Sequence, residues 1–111
     1  MSDEYQIEIP PSFYEVYLDS RRRLTASRDR IRAQYEICED LAQHLVEYCN
    51  ATLHGLGITE ADVLVRVHAG LVATSEVVDA REATWVVRRA AELLEWTCPA
   101  LDEASSEDPQ A

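Results

Sequence analysis

The chain has 111 residues, 47% hydrophobic and 28% charged, with a formal net charge of −11. Such a chain is long enough for one domain with its own core, and too apolar for a disordered polymer. All ten cationic side chains are arginine, so the lysine of a Walker-type nucleotide site or of a pyridoxal Schiff base is missing.

Residues 1–11 read as extended, because Pro10 and Pro11 push their predecessors out of helical geometry. Ser12 and Glu15 form an S-x-x-E capping box that predicts a short helix with Phe13, Val16 and Tyr17 on its apolar side. Residues 19–25 are a polar, arginine-rich connection. Thr25 or Ser27 then caps a long helix to about His54. Ile31, Tyr35, Cys38, Ala42, Leu45, Cys49, Thr52 and Leu56 alternate in steps of four and three, and Ile37, Leu41 and Tyr48 widen that stripe. A stripe so wide packs against two neighbours. Arg32, Glu36, Glu39, Gln43, Glu47 and Asn50 fall opposite it, on an expected solvated face. Gly55-Leu56-Gly57 supplies the left-handed residue that ends the helix.

Thr59 and Asp62 open a helix over roughly 60–73, with Val63, Leu64, Val67 and Leu71 apolar. His68 falls within that apolar arc and is expected to pack there. Gly70 is costly inside a helix, and close approach of a neighbouring helix is its expected reason. Asp79 and Glu82 start a last helix over 80–96, stopped by Thr97-Cys98-Pro99. Residues 101–111 are acidic and expected to be disordered. Neither a repeat nor a convincing strand is present. The predicted fold is an all-α bundle: a short N-terminal helix, one long helix and an antiparallel helical pair in a single domain over 1–100. The long helix is near 42 Å, longer than such a domain is wide. It must bend, be covered by a folded-back hairpin, or project and meet a second copy.

The last helix carries two apolar faces. Ala83, Val86, Val87, Ala90, Leu93 and Leu94 form a core stripe, while Trp85, Arg89, Glu92 and Trp96 land almost opposite. Tryptophan and arginine dominate binding hot spots, so Trp85, Arg89 and Trp96 are candidate partner-binding residues. Two readings stay open: Phe13, Tyr14 and Tyr17 close over the tryptophans, or part of the face stays free for docking.

Charge is segregated as well. Arg21, Arg22, Arg23, Arg28, Arg30 and Arg32, offset only by Asp29, give +5 locally and leave −16 on the rest of the chain. Arg21, Arg22, Arg23, Arg28 and Arg32 are therefore candidates for binding an acidic protein or a second copy. Nucleic acid ranks lower, since the chain repels polyanions at long range and no aromatic residue interleaves this stretch. A plain solvated segment with no specific ligand ranks ahead of both.

No chemistry is legible. Glu36, Glu39, Asp40, His44 and Glu47 lack the Glu-x-x-His spacing of a helical metal site. Cys38, Cys49 and Cys98 lack CxxC spacing and are expected as buried free thiols. No apolar run approaches the roughly 20 residues of a membrane span, and Met1-Ser2-Asp3-Glu4 is acidic where a signal peptide is basic. A cytoplasmic, non-enzymatic protein without metal or cofactor is expected.

Four blocks, Ile9–Phe13, Tyr35–Ala42, Thr59–Leu64 and Ala83–Arg89, resemble a family of small proteobacterial proteins of no established function. Its members are sometimes labelled "ATPase with chaperone activity". The resemblance runs through most of the chain except the acidic tail, and it implies a chaperone-linked partner. An ATPase has no footing in these residues, which include no phosphate-binding loop, and the family supplies no catalytic residues to carry over.

Overall fold

Two prolines start the first helix in the computed structural model, which describes residues 8–101. Helix α1, Pro11–Glu15, has Pro10 at its N-cap in extended geometry with no side-chain cap bond. The predicted box at Ser12 and Glu15 does not open it, because Ser12 already lies inside the first turn. Proline at the helix start has its torsion preset and no N–H to satisfy, so no capping side chain is required. Tighter turns carry the chain on, with the amides of Val16, Tyr17 and Leu18 donating to the carbonyls of Phe13, Tyr14 and Glu15.

Helix α2 runs over Arg28–Leu56, 29 residues or about 44 Å. Ser27 rather than Thr25 is its cap: Ser27 Oγ accepts from the Arg30 amide at 3.1 Å. Its end is as expected, with Gly57 at φ +66 supplying the left-handed residue and its amide closing on the Leu53 carbonyl at 3.0 Å. Helix α3, Glu60–Thr74, is capped by Thr59, whose hydroxyl accepts from the Asp62 amide at 3.1 Å. Helix α4, Ala80–Leu94, opens with the full Asp79–Glu82 capping box. Asp79 Oδ1 accepts from the Glu82 amide at 2.8 Å, and Glu82 Oε1 from the Asp79 amide at 2.9 Å. Among the described residues there are four helices and no strand beyond one antiparallel bridge, Leu18 with Leu24. This is the small all-α bundle the periodicity predicts.

Contacts divide the chain into two compact units, Met1–Ile37 and Cys38–Ala111, with the boundary inside α2. In the first, Phe13, Tyr17 and Ile31 are buried. The Phe13 ring meets Tyr17 and Tyr35 edge-on, with centroids 5.3 and 5.4 Å away. Such pairs add about 0.5–1.5 kcal/mol beyond burial, enough to hold a helix too short to persist alone.

In the second unit α3 and α4 pack together, set antiparallel by a five-residue connection and by a buried bond between His68 and Thr84. The core joins Cys49 of α2, Val63, Leu64 and Val67 of α3, and Val87 and Ala91 of α4. Leu45, Leu53, Leu71, Leu94, Trp96, Cys98 and Leu101 pack against it. The last of these is the residue expected to begin the tail; the rest of that tail, 102–111, lies outside the described residues, as does most of the predicted extended N-terminal stretch.

Gly70 departs from expectation. A Cβ built there meets nothing within 4 Å, so no neighbouring helix demands a glycine. Gly70→Ala is accordingly expected to raise stability by about 1 kcal/mol, through helix propensity and a less flexible unfolded chain. A chemical-denaturation midpoint that stays put or falls contradicts this.

Candidate functional site

The predicted face on α4 is largely occupied from within. Trp85 is only 8% exposed, and six consecutive residues, Glu82–Val87, are buried, so α4 is covered all round over that stretch. Arg89 reaches the helix beside it. Its Nε donates to Glu39 Oε1 at 2.9 Å and its Nη2 to Glu39 Oε2 at 3.1 Å. Nη1 donates to Glu92 Oε1 at 3.1 Å, and Gln43 adds a bond to Glu39 at 2.9 Å. Glu39, expected on a solvated face, is thus a half-buried partner of α4. Hydrogen bonding from Arg89 holds its carboxyl below the usual carboxylate range, against a smaller opposing effect of burial.

Trp96 does not continue the row. Helix α4 stops at Leu94, and Glu95 turns left-handed at φ 62. The Trp96 amide then closes on the Ala91 carbonyl at 2.9 Å, the reversal of a Schellman-type end. This turn brings Trp96 back against the core cluster, where its half-buried ring lines a shallow groove with Arg88, Glu92 and Cys98. Trp85, Arg89 and Trp96 are therefore not presented together on one open surface. A tertiary ion pair and an unexpected helix stop decide this, and neither has a periodic signature.

The arginine stretch is more ordered than a polar connection. Asp19 organises it: Oδ1 accepts from the amides of Arg21 at 2.8 Å and Arg23 at 2.9 Å. The Asp19 amide donates to the Arg23 carbonyl, and the Arg22 amide to the Asp19 carbonyl, both at 2.9 Å. Arg22, at φ 64, sits in the left-handed region, and Leu18 bridges Leu24 across the base. An aspartate whose side chain binds amides two and four residues on is a known turn-former, a signal available in the sequence but missed there. Arg21 and Arg22 occupy the tip. Arg28 and Arg32 are four apart on one side of α2, while Arg30 is about 200° round from Arg28.

All six arginines are exposed. Arg23 lies 3.7 Å from Asp19 Oδ2, an exposed pair of little energetic weight. Arg21, Arg22, Arg28, Arg30 and Arg32 make no ion pair among the described residues. Arg28 also stands in the first turn of α2, where the helix dipole is positive and a cation costs about 0.3–1 kcal/mol; Asp29 is the acid in that turn.

The buried polar side chains His68, Glu82 and Thr84 all have hydrogen-bond partners. His68 Nε2 lies 2.9 Å from Thr84 Oγ1, both buried, and Thr84 donates its own proton to the Ala80 carbonyl at 3.1 Å. His68 therefore donates to the hydroxyl, the wrong polarity for a base activating a nucleophile. Burial, then the nearby carboxylates of Glu82 and Asp79, push the Cys38 thiol up to about 12. Burial likewise raises Cys49 and Cys98, so these three free thiols stay protonated at neutral pH. Among the described residues no group of three His, Cys, Asp or Glu side chains could hold a metal ion, and no helix is long and apolar enough to cross a membrane. No protein-family profile, curated protein or solved structure matches this chain.

Proposed function

We propose that this chain is a non-enzymatic interaction module of the cytoplasm that docks an acidic protein surface on the Arg21–Arg32 segment. Arg21 and Arg22 at the turn tip, with Arg28 and Arg32 on one side of α2, carry the contact; Arg23 supports it. The single observation behind this is five exposed arginines that make no ion pair among the described residues. Guanidinium groups bind carboxylates in planar, two-bond geometry and are enriched at protein interfaces. The net charge of −11 opposes any anionic partner at long range, so contact is short-ranged, and a nucleic acid is disfavoured because no aromatic residue lies between Arg21 and Arg32 to stack its bases. Chaperone-linked complexes, implied by the family resemblance, are natural partners to examine.

Fluorescence anisotropy with a labelled Asp/Glu-rich peptide, beside single-stranded DNA and RNA of mixed sequence, tests the proposal. Binding of the acidic peptide is expected, weakened at least about tenfold by the triple variant Arg21→Glu/Arg22→Glu/Arg28→Glu and falling steeply with salt. Tighter binding of either nucleic acid transfers the segment to nucleic-acid recognition. Equal peptide binding by the variant removes the segment from the function.

A further inference from the structure

Helix α2 carries a second heptad row that is exposed at every position but one. Ile37, Leu41, His44, Tyr48, Ala51 and Gly55 follow 4-3-4-3-4 spacing, the repeat of a coiled-coil seam. This row includes the residues expected to meet a second neighbour, yet Ile37 is 42% and Tyr48 59% exposed. The His44 side chain is 74% exposed, Ala51 and Gly55 are exposed and Leu41 is half-buried. Helix α4 instead approaches α2 on another side, at Glu39.

We propose that this row binds the same row of a second copy, antiparallel, about a twofold axis at the level of Val46. The residue sizes argue for that occupant and that direction. Bulk lies at the N-terminal end of the row and small residues at its C-terminal end. A Cβ at Gly55 would meet nothing within 4 Å. Antiparallel pairing sets Ile37 against the partner's Gly55, Leu41 against the partner's Ala51, and His44 against the partner's Tyr48. Ile37 and Leu41 each then face a small residue, His44 and Tyr48 meet as a polar pair near the axis, and the contact is self-complementary as a twofold interface requires. Parallel pairing stacks bulk on bulk at one end and leaves a gap at the other.

His44 adds chemical specificity. Its Nδ1 lies 2.9 Å from the Asp40 carbonyl oxygen, which only accepts, so Nδ1 carries the proton of the neutral ring. Nε2 therefore presents a lone pair, to which the hydroxyl of the partner's Tyr48 donates. Glu47, next to the axis on the flank of the row, approaches its own copy and opposes association.

Two copies of charge −11 repel, so salt tightens this contact, whereas it loosens arginine docking; the two proposals therefore fail separately. Sedimentation equilibrium of the full chain from about 5 μM to about 1 mM tests it. A reversible dimer is expected, severalfold tighter in about 0.5 M than in about 0.15 M salt. Tyr48→Glu and Ala51→Glu are expected to raise the dissociation constant at least about tenfold, and Glu47→Gln to lower it. Both introduced glutamates lie at exposed positions, so the unfolding midpoint of dilute protein should not move. Should one of them unfold the chain, Ala51→Gln carries the same expectation for the dimer. A wild-type monomer throughout the range, or a dimer indifferent to the Tyr48 and Ala51 variants, overturns the proposal.

Discussion

Replacing Leu64 with alanine is expected to cost about 3 kcal/mol of folding free energy, within the usual range of about 2–5 kcal/mol for buried leucines. Leu64 is fully buried, in the cluster where α2, α3 and α4 meet. Truncation loses the transfer free energy of its methyl groups and leaves a cavity that a close-packed core cannot fully collapse. A small domain has only about 5–15 kcal/mol of net stability, so the thermal midpoint should fall by about 10–20 °C. Val65, the next residue along α3, is 47% exposed, and Val65→Ala should stay within about 0.5 kcal/mol. Calorimetry on both variants checks the assignment: equal losses mean that α3 is turned the wrong way.

Breaking the Arg89–Glu39 clamp is the second large effect. Arg89→Ala removes two bonds to one carboxylate and leaves Glu39, whose side chain is 22% exposed, with Gln43 and solvent. A cost of about 1–2 kcal/mol is expected: more than a surface pair, because the geometry is bidentate and part-desolvated, and less than a buried one, because water still reaches it. Its pH dependence identifies the carboxylate. The folded-state pKa of Glu39 lies below its ordinary 4.5, so the contribution is fully present above 4.5 and is lost as pH falls through the lower folded value. Wild type and Arg89→Ala should therefore converge in stability in acid. A gap that persists unchanged to low pH shows that Arg89 acts by packing alone. Glu39→Gln should reproduce most of the loss at neutral pH and flatten the acid limb.

Much of the architecture was legible beforehand, for reasons confined to short stretches of chain. Thr59, Ser27, Asp79 with Glu82, and Gly57 act on backbone groups within a few residues, so helix boundaries there follow from residue type. The stripe Ala83, Val86, Val87 and Ala90 is fully buried, as the helical period requires. His68 is buried with a hydroxyl partner for the same reason. Where boundaries slipped, local alternatives competed. Two prolines opened α1 before the Ser12 box, and Glu95 adopted a left-handed turn that no glycine announced.

The candidate surfaces were legible only in part. Composition and order along the chain determined the arginine segment, its excess charge and the all-helical class, because these depend on neighbours in sequence. Which of two apolar faces is covered depends on where another helix lies, and that is a tertiary decision. Glu39 is 50 positions from Arg89 in sequence, and no period links them. Their ion pair turned an expected solvated face into a helix–helix contact. The same arrangement left Ile37 and Tyr48, which the pattern assigns to a core, in solvent. Periodicity states that a face wants a partner; only packing decides whether the partner comes from within the chain.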